Sequence, residues 1–366
     1  MSGGPYGRGK APERACLLVD AWPEQDRDLW KAACAPADPL DEDVGVRAGH
    51  STASNRKAEK GYGRWLTFLV GADPGCLNEP PQKRITADRL RSYVDSLIGL
   101  KNSSATILAR LQELGEVAKV MGHGGDWRFI NVIASTIRAH HRPARDKLNL
   151  RLSDELLDLG LRLVDRASEK NGRSAAILHR DGLMIALLAL VPLRRRNIAG
   201  LRLGRNVIDI GNVWLIALDT CETKTHAALE ILWPDELKKP LAIYLTVHRR
   251  LLASLRGRWA QSVDDALWVS SDGSPMTEMA IYDRIRYHTK EAFGAAVNPH
   301  LFRDAAATTL AIEDPEHVRV AAPLLGHRTF TTTEKYYQQA KAQQAHREYV
   351  ATLFGSRTLK KYDKQT

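Results

Sequence analysis

A change in the spacing of apolar residues is the feature of this chain that most constrains its fold. In TADRLRSYVDSLIGL, Thr86 is placed to cap a helix whose apolar residues share one face. Those residues are Leu90, Tyr93, Val94, Leu97 and Ile98. Further along, VIDI, VWLIALDT and ALEILW alternate or are β-branched, with Gly211-Asn212 and a Lys-Thr-His turn between them. Helical spacing returns after Pro234, so the sequence predicts a mainly α fold with a small antiparallel β-sheet, an α+β class.

The same spacing predicts two helical regions joined by a basic linker in which Pro143 ends a helix. Other helices are expected at about 53–70, 104–120, 127–141, 153–166, 174–190, 235–256, 277–292, 301–312, 315–325, 332–340 and 342–354. The predicted divisions are a partly disordered N-terminal arm at 1–48 with one short helix around Trp30, a helical domain at 49–142, a linker at 143–152, a second domain at 153–340, and a C-terminal helix and tail at 341–366.

The charge of the chain favours a polyanionic partner. Lys and Arg number 53 against 43 Asp and Glu, which gives a net charge of +10 and a pI near 9.4. Such a balance points to nucleic acid first and to an anionic membrane surface second, although a basic solvated surface has the same composition.

Cysteine usage and hydropathy bound the location. The four cysteines are scattered without a CxxC pair, which argues against a zinc site or a disulfide framework and fits a reducing cytoplasm. No signal-peptide pattern is evident, and the apolar run that starts at Leu183 is too short to span a bilayer. We therefore expect a soluble cytoplasmic protein that works without a membrane.

Three short stretches of the second domain carry the residues with useful chemistry. They are VPLRRRNIAGLRL, NPHLFRDAAATTLA and LLGHRTFTTTEKYY. His300 and Arg303 are three apart and would share one helix face. Taken singly, each stretch has a simpler interpretation: a solvated basic turn, or a histidine that is satisfied structurally.

Together the three stretches suit an attack on a phosphodiester. Arginine offers planar bidentate donors that match phosphate oxygens. A tyrosine hydroxyl, with a pKa of about 10, becomes a useful nucleophile only where cations stabilise the developing charge and a base takes its proton. Arginines, histidines, a lysine on a turn and a tyrosine would supply this chemistry without a metal or another cofactor.

These motifs resemble the tyrosine recombinases of the lambda-integrase type, over residues 50 to 356. The family has an R…K…HxxR…H…Y set in which the last histidine lies in LLGH and the nucleophile follows nine residues later. The matching positions here are Arg194, Lys224, His300, Arg303, His327 and Tyr336. Leu193, Ile198 and Leu201 hold the apolar positions around the first arginine.

The resemblance implies a role for each residue. Tyr336 would attack the scissile phosphate, giving a 3′-phosphotyrosyl link and a free 5′-hydroxyl. Arg194 and Arg303 would bind the non-bridging oxygens, and Lys224 would protonate the leaving oxygen. His300 would be the general acid and base, and His327 would stabilise by hydrogen bonding. No metal, ATP or other cofactor is implied.

Local alternatives stay open around these positions. Tyr337 adjoins the nucleophile but would point about 100° away on a helix, and Arg195 or Arg196 could replace Arg194. Asn197 stands where the family usually has an acidic residue, and Asp304 stands where histidine is common.

The helical domain at 49–142 resembles the family's core-binding domain, which holds double-stranded DNA. Its candidate phosphate contacts, with one in the linker, are Lys57, Lys60, Arg64, Arg110, Lys119, Arg138 and Arg145. The C-terminal segment KAQQAHREYVATLF would dock on a neighbouring protomer in a tetramer on paired DNA sites, or pack on its own domain.

The resemblance implies a site-specific DNA recombinase or integrase of a mobile element. Such an enzyme would be associated with the nucleoid and could work together with a directionality factor. Two alternatives remain. A type IB topoisomerase-like enzyme would use the same residues without paired sites, and a catalytically idle relative would act only as a DNA-binding accessory factor.

Overall fold

The chain divides into two compact units, which are described separately. In this computed structural model the described residues are 16–36, 45–121, 125–140, 149–211, 213–223, 227–256 and 265–313. The units are Met1–Asp146 and Lys147–Thr366. The predicted helices at 315–325, 332–340 and 342–354 lie outside the described residues.

The first unit is a helical domain around an aromatic core. Its helices are α1 (Glu24–Cys34), α2 (Thr52–Ala72), α3 (Pro81–Arg84), α4 (Ala87–Gly99), α5 (Ser104–Met121) and α6 (Arg128–Ala139). Thr86 caps α4 as predicted, since its hydroxyl accepts a hydrogen bond from the backbone N–H of Arg89 at 3.3 Å. Four of the five predicted apolar positions of α4 are buried, but Ile98 is 56% exposed. Ile98 is the penultimate residue of α4, which ends at Gly99.

Residues 16–36 contain the short helix predicted around Trp30, here α1, and pack part of their side chains into this core, whereas their composition predicted a loosely ordered arm. Trp22 and Trp30 are each 3% exposed. Asp26 on α1 accepts hydrogen bonds from Arg84 at 2.8 Å and from the Tyr62 hydroxyl at 2.8 Å. The acidic composition suggested solvation because a composition does not reveal that one of the acids has a buried arginine partner.

The second unit surrounds helix α8 (Gly172–Leu190), in which every residue from His179 to Ala189 is buried. Its helices are α7 (Ser153–Ser168), α8 (Gly172–Leu190), α9 (Arg195–Ala199), α10 (Lys238–Ile243), α11 (Arg249–Ser254), α12 (Glu278–Phe293) and α13 (Pro299–Glu313). The backbones of α7 and α8 are in close contact at Gly160, which has no Cβ. A Cβ there would lie 2.5 Å from the backbone nitrogen of Ala186. Among the described helices none is long and apolar enough to cross a bilayer.

A three-stranded sheet interrupts the helices, as the change of spacing predicts. The strands β1 (Val207–Asp209), β2 (Trp214–Leu218) and β3 (Leu229–Leu232) are antiparallel in the order β1-β2-β3. In the register, Ile216 on the central strand faces Val207 on one side and Ile231 on the other. Val207 and Ile216 are fully buried, so one face of the sheet packs on the core.

A buried charge cluster joins α8 to α12. Asp181 is fully buried and accepts hydrogen bonds from Arg180 at 2.6 Å and from Arg284 at 2.7 Å. His288 Nε2 lies 2.9 Å from the same carboxylate, and Arg180 also donates to the carbonyl of Val269 at 2.7 Å. The cationic neighbours outweigh burial and lower the pKa of Asp181.

Candidate active site

The arginine-rich stretch leaves the buried helix α8 and is anchored by its apolar residues. Leu193, Ile198 and Leu201 are 3%, 0% and 1% exposed and lie in the core of the second unit. The Leu193 N–H donates to the carbonyl of Val191 at 2.7 Å, which makes a tight turn immediately before the arginines. The apolar positions of the motif therefore determine where the backbone of Arg194 lies.

Arg194 occupies the extended residue at which α9 begins. Its φ of −69° and ψ of 148° mark the N-cap of that helix. The side chain is partly buried and has no hydrogen-bond or ion-pair partner within the described residues. Desolvation lowers the pKa of its guanidinium, but an arginine stays charged at neutral pH. A cation removed from water without a counter-ion is a suitable position for an anionic ligand.

The two neighbouring arginines are oriented differently. Arg195 Nε donates to Glu278 on α12 at 3.2 Å, and its guanidinium lies 5.5 Å from the ring centroid of Tyr282. Arg196 is exposed. Of the three consecutive arginines, Arg194 is thus the one that combines partial burial with the lack of a described carboxylate partner.

The HxxR stretch forms the first turn of α13 and is tied to the arginine segment. Arg303 donates to the carbonyl of Pro192 at 2.6 Å, two residues before Arg194. His300 is exposed in the first turn of α13. The structure therefore brings two stretches more than 100 residues apart in sequence to the same place, with their arginines on adjoining segments.

Asn197 connects the same arginine segment to the hairpin between β2 and β3. Its side chain is 7% exposed, and its Nδ2 donates to the carbonyl of Glu222 at 3.2 Å. An ionised acid, the usual residue of the family here, has no proton to donate to a carbonyl. The departure from the family pattern thus has a structural counterpart in this chain.

Hydrogen bonds within the hairpin join the residues that flank positions 224–226. The Thr223 hydroxyl donates to the carbonyl of Ala227 at 2.8 Å and accepts from the N–H of Ala227 at 3.1 Å. The Glu222 carboxylate accepts from Asn206 Nδ2 and from the N–H of Asp219, each at 3.0 Å. These bonds hold both flanks of residues 224–226.

Sequence reasoning did not assign these supporting roles. Glu222 and Thr223 precede the lysine in the turn DTCETKTHA, and short polar side chains in a turn commonly bond the nearby backbone. That signal indicates a side-chain-stabilised turn. It does not indicate that Asn197, distant in sequence, bonds to the same turn.

Part of the predicted catalytic set lies outside the described residues. Lys224, His327 and Tyr336 are among these, as is the alternative Tyr337. Within the described ranges, no group of three or more His, Cys, Asp and Glu side chains is placed to hold a metal ion.

The predicted phosphate contacts of the first unit fall into two groups. Four are exposed: Lys57, Lys60, Lys119 and Arg138. Arg64 and Arg110 are mostly covered and lie against the carboxylate of Glu113. Arg145 lies outside the described residues.

Comparison with known proteins identifies the family. The sequence model of the phage integrase family matches residues 161–343, half of the 366-residue chain. The chain therefore belongs to the phage integrase family, that of the tyrosine site-specific recombinases.

Named relatives agree with this assignment. The tyrosine recombinase XerC of Azotobacter vinelandii is 28% identical over 257 residues, which cover 69% of this chain and 75% of that protein. The tyrosine recombinase XerD of Pseudomonas aeruginosa is 37% identical over 79 residues, covering 21% of this chain and 26% of the relative. The latter match thus spans about a quarter of its relative.

A solved structure shares the fold. The integrase of the transposon Tn1549, in complex with transposon right end DNA, aligns with a TM-score of 0.56 at 15% identity. The alignment covers 87% of this chain and 98% of that one. The predicted fold class, mainly α with a small antiparallel sheet, is confirmed.

Proposed function

We propose that this protein is a site-specific DNA recombinase or integrase that cuts and rejoins DNA through a 3′-phosphotyrosyl intermediate. The observation that carries the proposal is the convergence of the two arginine segments through the Arg303 to Pro192 hydrogen bond, beside an Arg194 that has no described counter-ion. Two guanidinium groups on adjoining segments match the non-bridging oxygens of one phosphate.

In the proposed reaction the Tyr336 oxygen attacks phosphorus, and the bond from phosphorus to the 5′-oxygen breaks. His300 takes the phenolic proton, and Lys224 gives a proton to the leaving 5′-oxygen. Arg194 and Arg303 stabilise the charge on the phosphoryl oxygens, and His327 donates a further hydrogen bond. The covalent link to tyrosine conserves the energy of the phosphodiester bond, so rejoining by a 5′-hydroxyl needs no ATP. The proposed steps use side chains in place of a metal.

The assignment of Arg194 over its neighbours is supported by their contacts. Arg195 is engaged by Glu278, and Arg196 is exposed, so neither has the combination of partial burial and free donors. In the hairpin, bonds of Glu222 and Thr223 hold described residues next to the proposed proton donor, Lys224.

We further propose double-stranded DNA as the partner, held by exposed cations of the first unit such as Lys57 and Lys60. Assembly as a tetramer on paired sites, through the C-terminal segment 341–366, completes the proposal. We also propose a mobile genetic element as the source of the sites, in keeping with a family named for phage integrases, and a directionality factor as a further partner.

The test begins with sequencing of the DNA ends that remain attached to the wild-type chain after denaturation. A nicked substrate built from that site traps the intermediate, because the short fragment that leaves cannot return. We expect wild-type protein and Tyr337→Phe to form a covalent adduct and Tyr336→Phe to form none.

The contrary outcomes are distinct. An adduct that Tyr336→Phe keeps and Tyr337→Phe loses shifts the nucleophile by one residue. Binding of DNA without any wild-type adduct supports an accessory factor instead. Relaxation of supercoiled plasmid without paired sites, and without strand exchange between them, supports the topoisomerase alternative.

A further inference from the structure

A buried glutamate in the first unit lies where helices α2 and α5 are in close contact. A Cβ added to Gly61 on α2 would lie 2.4 Å from the Cβ of Glu113 on α5, so only glycine allows this contact. Glu113 is 3% exposed. A carboxylate buried to this degree needs partners of opposite charge.

Two arginines from the two helices supply those partners. Arg110, one turn earlier on α5, donates to both oxygens of Glu113 at 2.9 and 2.6 Å. Arg64 on α2 has its NH1 atom 3.7 Å from Glu113 Oε2, an ion-pair distance. The side chains of Arg64 and Arg110 remain 23% and 22% exposed. One carboxylate therefore holds two partly exposed guanidinium groups together, and the cluster keeps an excess positive charge.

Donors exceed acceptors around this cluster. A guanidinium carries five N–H donors, and in the described part of the chain Glu113 is the acceptor that Arg64 and Arg110 share. The hydroxyl of Tyr93 on α4 is buried without a described hydrogen-bond partner. Burial is the main cause that raises its pKa, and the charges of Arg110, Arg64 and Glu113 also act on it. The phenol thus lies within the field of the same cluster.

Two exposed lysines extend the cluster along α2. Lys57, Lys60 and Arg64 are spaced three and four residues apart, which places them on one helix face. This surface is a row of cations that ends in the Arg64–Arg110 pair.

We propose that Glu113 holds Arg64 and Arg110 as one clamp for a phosphodiester group of DNA. The proposal rests on the proposed function, since it takes DNA as the ligand. It assigns Glu113 a positioning role: a negative charge that improves the binding of a polyanion by fixing two guanidinium groups side by side.

The decisive variant is Glu113→Gln, because charge and positioning predict opposite results. Removal of a negative charge strengthens binding to DNA by electrostatics alone. The clamp predicts weaker binding, by about tenfold, with a shallower dependence of log Kd on log salt because one or two phosphate contacts are lost. The measurement is fluorescence anisotropy of the full chain on a short labelled duplex over a salt series.

Asp88→Asn is the matched control. Asp88 pairs with Arg91 at 2.9 Å with the same three-residue spacing, but the two side chains are 93% and 67% exposed. The charge change is identical and no clamp is disturbed, so binding stays equal or becomes slightly tighter. Equal or tighter binding by Glu113→Gln as well would overturn the proposal.

A second set of variants decides the question if Glu113→Gln lowers the folded fraction in thermal unfolding. Arg64→Ala and Arg110→Ala are compared with the double variant. A shared clamp is lost with either arginine, so the double variant binds little worse than each single one. The clamp is contradicted if the losses of DNA affinity in the two single variants multiply in the double variant, as they do for independent contacts. It is also contradicted if neither single variant loses more affinity than Arg91→Ala does.

The proposed function and this inference fail separately. A wild-type chain that neither binds DNA nor forms an adduct removes the proposed function. A wild-type chain that forms the adduct, with a Glu113→Gln variant that binds DNA as tightly, removes only the clamp.

Discussion

The arginines that we propose to contact DNA differ between the two units in whether a carboxylate lies beside them. In the first unit, Arg64 and Arg110 share the buried carboxylate of Glu113. In the second unit, Arg194 is partly buried without any described carboxylate partner, and desolvation lowers its pKa. A paired arginine is oriented before a ligand arrives, whereas an unpaired one leaves its full charge for the ligand.

This difference is a property of the positions and not of the second unit as a whole. The same unit pairs Arg180 and Arg284 with the fully buried Asp181, in a cluster that joins two helices. The described arginines thus fall into three kinds: those paired with the fully buried Asp181, those that share Glu113 while partly exposed, and Arg194, which has no described carboxylate partner.

Loss of the Asp181 carboxylate tests the first of these classes and should have the largest effect. In Asp181→Asn the buried guanidinium of Arg180 and the partly exposed one of Arg284 lose the anion that they share. Breaking a buried pair costs about 3–5 kcal/mol in the free energy of unfolding. Urea unfolding followed by tryptophan fluorescence measures it. Asp88→Asn, at an exposed pair, should change stability by less than about 1 kcal/mol; an equal loss there would contradict the distinction.

The same carboxylate predicts a dependence on acid. The pKa of Asp181 is lowered in the folded chain, so its contribution to stability is complete above the ordinary aspartate pKa of about 3.9. The contribution is lost as the pH falls from there through the lower folded pKa. Asp181→Asn should lack this part of the pH dependence of unfolding.

Arg194→Ala tests the unpaired arginine and should leave stability unchanged while it removes activity. Loss of one charged donor to the transition state lowers the cleavage rate by about 100-fold to 1,000-fold. Single-turnover adduct formation at saturating DNA measures the effect. Arg195→Ala is the neighbouring control, because its guanidinium is engaged by Glu278. A larger loss in Arg195→Ala would show that the catalytic arginine is one position later.

Asn197 allows the hairpin to be tested apart from the arginines, because its side chain donates to the carbonyl of Glu222. Asn197→Asp restores the residue type usual in the family but removes the donor to the Glu222 carbonyl. We expect cleavage to slow by about tenfold to 100-fold. The defect should shrink on DNA with sulfur in place of the leaving 5′-oxygen, since a thiolate leaves without a proton from Lys224.

The controls for Asn197 separate positioning from general damage. Lys224→Ala should also be rescued by the sulfur substrate, and Arg194→Ala should not. An Asn197→Asp defect that is equal on the oxygen and sulfur substrates would place the effect elsewhere than at the leaving group.

The smallest effects are expected for the exposed lysines of α2. Lys57→Ala and Lys60→Ala should each reduce the slope of log Kd against log salt by about one, with no change in cleavage once DNA is saturating. Anisotropy over a salt series and single-turnover cleavage measure the two quantities. A lower cleavage rate in the bound complex would contradict the prediction that these lysines act in DNA binding and not in cleavage.

Much of the fold could be predicted because its signals are local. The Thr86 cap, the buried face of α4 and the three strands follow from side-chain spacing, which depends on the periodicity of each element. The exposure of Ile98 and the ordered core packing of the N-terminal stretch did not follow the prediction, although the short helix expected around Trp30 is present as α1. Ile98 lies beside its buried neighbours in sequence, and Asp26 becomes compatible with a core only through Arg84, 58 residues away.

Residue types at set spacings were enough to predict the family, the order of elements and the residues proposed for the chemistry, since such spacings are already present in the unfolded chain. Only the tertiary structure separated Arg194 from Arg195, joined Arg303 to Pro192, and linked Asn197 to the hairpin before Lys224. Those distinctions depend on which partner a donor meets in space. An arginine has the same five N–H donors whether it faces a carboxylate, a carbonyl or a bound anion, so the sequence does not reveal which of these it meets.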